Sequence, residues 1–327
     1  MDLLKKSHTL RRILIFLQPD LIILLIFTSV LSALGFIYGH HLHLIEGSVF
    51  YALGSFVVIE LVYFIYRFPR ITHEHPEIRK QALKNSLIIA RDWIPFVVLI
   101  GVYETLRDYT GLIRTDSIDK YLYQIDISLF GIEPTVWIQR FAHPFLTDYF
   151  AFFYTQYLIL PLILGLWLYL KDRREDFQEL SIALIIVLYG GFILYCIFPA
   201  GPPRHFQPLL SQFDPKVLPS LGFFSWSQQH MDSMTVIITR SSFPSLHCAL
   251  SCTALLYAYR FGNLWPRHPR TLVWIYLVPV VSLWISTVYL RHHWIPDIAA
   301  GILLACGVYF LSPRIRKIFE EYQNGNA

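Results

Sequence analysis

In the segment His293-Trp294-Ile295-Pro296-Asp297 a histidine and an aspartate stand four residues apart, a spacing that puts both on one face of a helix. The carboxylate can then accept a hydrogen bond from one imidazole nitrogen and fix the tautomer. The other nitrogen is left free as a nucleophile, and the carboxylate stabilises the cation that forms. A solvated pair at a helix start is the plainer reading of the same spacing. His292 is rotated by about 100° on such a helix and reads as a neighbour more than a catalyst. A second segment, Ser242-Phe243-Pro244-Ser245-Leu246-His247, has a proline where a first helical turn tolerates one, and the unpaired N–H groups of that turn attract anions. Ser245 and His247 are thereby placed where a phosphate could bind; the plainer reading is a capped helix end with a histidine at the lipid headgroups. A third, Gly201-Pro202-Pro203-Arg204, is a stiff turn that aims a planar fork of donors suited to phosphate oxygens.

The elements that must position these residues belong to a chain with little polar surface. Of its 327 residues, 15% are charged and 55% apolar or aromatic, with a mean hydropathy of +0.47; soluble domains carry about 25% charged residues. That deficit excludes a disordered chain, a nucleic-acid-binding domain and an ordinary cytosolic enzyme. Eight apolar segments approach the roughly 20 residues that a membrane helix needs: 20–40, 48–67, 87–105, 149–170, 179–198, 245–262, 271–290 and 295–312. The first follows Lys5, Lys6, Arg11 and Arg12 and lacks a clear cleavage site, so it reads as a retained span and not a signal peptide. With the N-terminus inside, 19 of the 27 Lys and Arg fall on one side, which predicts both termini in the cytoplasm.

Two long connections lie on the other side. Residues 106–148 contain apolar residues at helical spacing, which predicts a helix along the membrane interface over about 117–141. Residues 199–244 are rich in proline and aromatics and read as a functional loop. Glu104, Arg107, Asp108, Arg204, His205, Arg240, Ser245, His247, Arg291, His292, His293 and Asp297 all fall at this end, at one depth. His40, His41 and His43 lie there too and read as interfacial histidines in preference to a metal site. Cys196, Cys248, Cys252 and Cys306 sit in apolar runs without CxxC spacing, so they read as packing groups.

The order and spacing of Pro244-Ser245-Leu246-His247, then Tyr289 through His293 and Asp297, resemble the second and third motifs of the type 2 phosphatidic acid phosphatase superfamily. With the Gly201-to-Arg204 turn and the paired histidines, the chain looks most similar to the inositol phosphorylceramide synthase branch. The resemblance covers roughly residues 100–312. It implies His293 as a nucleophile forming a phosphohistidine, Asp297 as its orienting partner, and His247 as the acid that protonates the leaving group. Arg204 and Ser245 would bind the phosphoryl oxygens. It also implies chemistry without a metal or other cofactor. Two phosphate-binding cations of the family pattern are missing, since Ile197 and Thr287 occupy their positions; Arg291 and Arg240 are the candidates to replace them.

The expected architecture is therefore an all-α polytopic membrane bundle of about eight transmembrane helices with a six-helix catalytic core. Residues 1–84 would form a two-helix extension, 85–317 the core, and 318–327 a cytoplasmic tail. The expected activity is that of a lipid phosphatase or phosphotransferase on a lipid phosphate or phosphodiester in the plasma or inner membrane. Its site would lie on the extracytoplasmic side, with water or an alcohol such as inositol or a ceramide-like lipid as acceptor. The alternative is a lipid-binding or transport protein without turnover. Against it, the ionisable residues sit at one end of the bundle and not at midplane, where transport sites lie.

Overall fold

The computed structural model describes residues 2–37, 88–89, 91–96, 98, 110, 114–233, 240–262 and 270–324. The expected spans 48–67 and 87–105 lie wholly or largely outside the described residues, as do His40, His41, His43, Glu104, Arg107 and Asp108. Among the described residues the secondary structure is helical, with one isolated parallel bridge between Ala200 and Ser241. The helices are α1 (Asp2–Ile37), α2 (Asp119–Phe130), α3 (Pro134–Ile138), α4 (Pro144–Tyr154), α5 (Ile159–Leu170) and α6 (Arg174–Ile197), followed by α7 (Gln207–Leu210), α8 (Phe223–Ser233), α9 (Leu246–Arg260), α10 (Thr271–Tyr289) and α11 (Ile295–Asn324).

Gln18–Ile37, Arg174–Ile197, Thr271–Tyr289 and Ile295–Glu321 are each long and apolar enough to cross a bilayer. Pro144–Tyr157 and Ile159–Leu170 meet at 50° and make a fifth if taken as one broken span. The chain is thus a multi-pass membrane protein, all-helical among the described residues. The count of eight is not reached among the described residues. One reason is α9: its 15 residues rise about 22 Å, short of a hydrocarbon core of about 30 Å. The helix expected over 117–141 is broken as well. It ends at Gly131, whose φ of 71° favours glycine, and resumes at Pro134, with the Glu133 side chain accepting the Val136 N–H.

Two compact units divide the chain: Met1–Leu106 with Gly165–Ile185 and Ser312–Ala327, and Arg107–Leu164 with Ile186–Leu311. In the first, Trp93 is fully buried among Phe96, Tyr169 and Phe177. Beside it Asp92 takes ion pairs from Arg91 at 2.8 Å and Arg174 at 2.6 Å and a hydrogen bond from the Tyr169 hydroxyl at 2.9 Å.

In the second unit two apolar clusters anchor the segment that follows α10. Tyr289 and Leu290 enter one, with Ala151, Tyr154, Leu218 and Phe224. Trp294 enters the other, with Leu122, Ala200, Leu209 and Phe213. Residues 291–293 are therefore pinned at both ends by burial of large apolar surface, the main stabilising term available to them.

Candidate active site

The first turn of α9 and the first turns of α11 meet backbone to backbone. Ser245 donates its N–H to the Asp297 carbonyl at 2.9 Å, and its hydroxyl caps α9 by accepting the Cys248 N–H at 3.3 Å. The approach depends on Gly301, where a Cβ would lie 2.3 Å from the Ser245 carbonyl oxygen. This contact brings the His247 ring to 5.6 Å, centre to centre, from that of His293. The third segment is laced to the same place. Ser242 N–H bonds the Ala200 carbonyl at 2.8 Å, the Trp294 indole donates to the Gly201 carbonyl at 3.0 Å, and Arg204 N–H donates to the Arg291 carbonyl at 3.2 Å.

His293 is held by its backbone and its ring. Its N–H and that of His292 both donate to the Thr287 carbonyl, at 3.1 and 2.9 Å. Its Nδ1 lies 3.2 Å from Asp297 Oδ2, with both side chains buried. A carboxylate accepts, so Nδ1 carries the proton and Nε2 is the nitrogen with a free lone pair. The same Oδ2 accepts the Trp294 N–H at 3.0 Å and the Ser242 hydroxyl at 2.6 Å, and that hydroxyl is also 3.1 Å from Nδ1.

His247 stacks on Tyr154 at 4.1 Å between ring centres and lies 4.1 Å from Tyr157. Tyr154 stacks on His292 as well, at 4.4 Å.

Ser245, His247, His293 and Asp297 are thus brought together, and Arg204 is joined to them through its backbone. Its guanidinium donates to Gln228 Oε1 at 2.8 Å and to His205 Nε2 at 3.2 Å. Arg291 and Arg240 are directed elsewhere. Arg291 is buried with φ 61°, donates to the carbonyls of Pro215 at 2.9 Å and Lys216 at 3.0 Å, and lies over the Phe213 ring. Arg240 is exposed and bonds the Thr115 carbonyl.

Sequence reasoning missed Ser242, Tyr154, Tyr157 and Asp126. Ser242 stands in the quoted segment, but nothing in its spacing marks it as a partner of Asp297. The two tyrosines read as ordinary aromatics of an apolar span. Asp126, inside the helix expected along the interface, is fully buried and accepts the Ile295 N–H at 3.3 Å, capping α11. Burial raises its carboxyl to about 7, and burial raises Glu133 as well. No group of three or more His, Cys, Asp or Glu among the described residues is placed to hold a metal ion. None of the four cysteines is in a disulfide.

Comparison with known proteins places this helical membrane protein in a known class. The chain belongs to the PAP2 superfamily, whose family model matches residues 120–311. It is 30% identical over 229 residues to a phosphoinositol dihydroceramide synthase of Bacteroides thetaiotaomicron, covering 65% of this chain and 72% of that protein. It is 29% identical over 132 residues to the inositol phosphorylceramide synthase catalytic subunit AUR1 of Saccharomyces cerevisiae, covering 36% of this chain and 30% of that one. No solved structure matches the chain.

Proposed function

We propose that this membrane phosphatase or phosphotransferase moves an inositol-bearing head-group phosphate from a lipid phosphodiester to a ceramide-like lipid alcohol, through a phosphohistidine at His293. His293 Nε2 attacks phosphorus as the bond to the leaving oxygen breaks, and His247, protonated in the presence of the bound phosphate anion, supplies that oxygen with its proton. The acceptor hydroxyl then gives its proton to His247 as its oxygen attacks, and the N–P bond breaks to restore His293. Asp297 stabilises the imidazolium formed in between, an interaction stronger in the transition state than before it. Arg204 and the capped first turn of α9 at Ser245 hold the phosphoryl oxygens. Arg291 and Arg240 act at a distance, by fastening the connections on either side.

The observation that carries this reading is the juxtaposition of His247 with a His293 whose Nδ1 faces a buried carboxylate. The names of the two relatives favour transfer over hydrolysis. The cationic bias of the opposite loops supports an extracytoplasmic site with cytoplasmic termini, and the family match over residues 120–311 supports a catalytic core at 85–317 with 1–84 added before it.

In the test, detergent-purified protein receives an inositol phospholipid with and without dihydroceramide. A phosphoinositol lipid product that depends on dihydroceramide, lost in His293→Ala and His247→Ala and insensitive to chelators, is expected. Release of inositol phosphate into water alone would make the protein a hydrolase. Binding without turnover would make it a carrier.

A further inference from the structure

His292 adjoins the proposed nucleophile and is fixed as firmly, although its ring makes no bond to Asp297. It is 6% exposed. Its N–H is bonded to the Thr287 carbonyl, and its own carbonyl accepts the Ser242 hydroxyl at 3.2 Å. The ring lies nearly parallel to Tyr154, which stacks on His247 through a similar contact. Backbone and ring face are thereby both determined, and one atom remains. His292 Nε2 is buried and has no hydrogen-bond partner among the described residues. A buried polar nitrogen without a partner is unfavourable for folding, and such groups in native proteins call for an explanation.

Its surroundings indicate what the partner is. Burial, and then the basic groups of Arg204, His293, His247 and His205, hold the His292 ring well below the ordinary histidine range. Apart from Tyr154, stacked on its face, the titratable side chains that act on it are basic, and the ring itself is neutral. An anion suits that environment, and a neutral imidazole in its Nε2–H tautomer donates a hydrogen bond to one without adding a further buried charge. Arg291 and Arg240 do not duplicate this donor, because they are bonded to backbone carbonyls, and Arg204, assigned to the same phosphoryl group, leaves a further oxygen to be held.

We infer that His292 Nε2 is a ligand of the phosphoryl group, donating to a non-bridging oxygen while His293 attacks phosphorus, with Tyr154 holding the plane of the ring. The inference rests on the phosphotransfer function proposed above. His292 and His293 thus divide the work: one binds the group that the other takes.

The test uses the full chain in detergent and orthovanadate as a phosphate mimic whose binding needs no turnover. His292→Phe keeps a ring against Tyr154 and removes the nitrogen. It is expected to weaken vanadate binding at least tenfold and to raise KM for the phosphodiester, with a thermal midpoint equal to or above the parent's. Gln places an amide N–H near the Nε2 position and Asn near Nδ1, so His292→Gln is expected to bind vanadate more tightly than His292→Asn. This pair decides the matter if the phenylalanine variant does not fold. Parent-level binding in His292→Phe, or equal affinity in the Gln and Asn variants, overturns the role of His292. A parent protein that neither binds vanadate nor turns over lipid overturns the phosphotransfer function as well.

Discussion

Asp92 and Asp297 are both buried aspartates in helical surroundings, and they are satisfied in opposite ways. Asp92 has a donor on each oxygen, two of its three partners being guanidinium groups, so its charge is already neutralised. Asp297 concentrates three donors on Oδ2: a hydroxyl, a backbone N–H and the His293 imidazole, while Oδ1 has no partner among the described residues. A buried carboxylate without a cation is unfavourable to keep. It becomes favourable when the imidazole beside it turns cationic, as attack of His293 on phosphorus would make it. One aspartate stabilises the fold; under the proposed mechanism the other holds its charge for the reaction.

The sharpest way to break this comparison is Asp297→Asn. The amide retains the shape and removes the charge, so kcat is expected to fall about 10³- to 10⁴-fold with little change in thermal midpoint. A variant that unfolds but keeps its activity per folded molecule would make Asp297 another Asp92. The converse variant, Asp92→Ala, is expected to lower stability by about 2–3 kcal/mol, discounted because Arg174 is half exposed and water replaces part of the loss. The same thermal melts with activity measured on the folded fraction check it, and that activity is expected to stay at the parent's level.

Gly301→Ala tests whether the two histidine segments need their backbone contact. Its Cβ would fall 2.3 Å from the Ser245 oxygen, and a displacement of about 1 Å at the reacting groups can lower kcat roughly 10²-fold. Parent-like kcat in a folded Gly301→Ala would show that the two segments tolerate separation. Ser242→Ala removes one donor from Asp297 and is expected to lower kcat roughly tenfold with KM unchanged, and Ser242→Thr to restore part of it.

The smallest effect concerns Asp126. Burial raises its carboxyl from 3.8 to about 7, so the folded state holds the proton more tightly than the unfolded one. The stability it contributes is full below pH 3.8 and is lost as pH rises through about 7. Asp126→Asn is expected to flatten that part of the stability-against-pH curve, measured by thermal melts across the range. An unchanged slope would place the titration on another group.

Much of this was legible from patterns that need no partner. Apolar runs near the length of a bilayer indicate membrane helices whatever they pack against. The i, i+4 spacing of His293 and Asp297 juxtaposes them within one segment. The broken interfacial helix was half legible: Gly131 and Pro134 are visible breakers, but an amphipathic pattern runs through them. The roles of the cations were not legible, because an arginine's reach lets Arg291 bond the carbonyls of Pro215 and Lys216 as readily as a phosphate. Nor was Asp126, which stands between Ile125 and Ile127 on a helix expected to lie along the interface and is buried only when α2 meets the start of α11.

The sequence by itself determined the solvent of this protein, its helical class and the pairs of residues that share a segment, because composition, period and spacing are local. Only the tertiary structure decided that Ser242 bonds Asp297, that Tyr154 lies between His247 and His292, and which arginines hold the chain to itself. Those contacts join residues from 55 to 138 positions apart, and at such separations the partner is chosen by packing, here by a glycine that lets two helices touch.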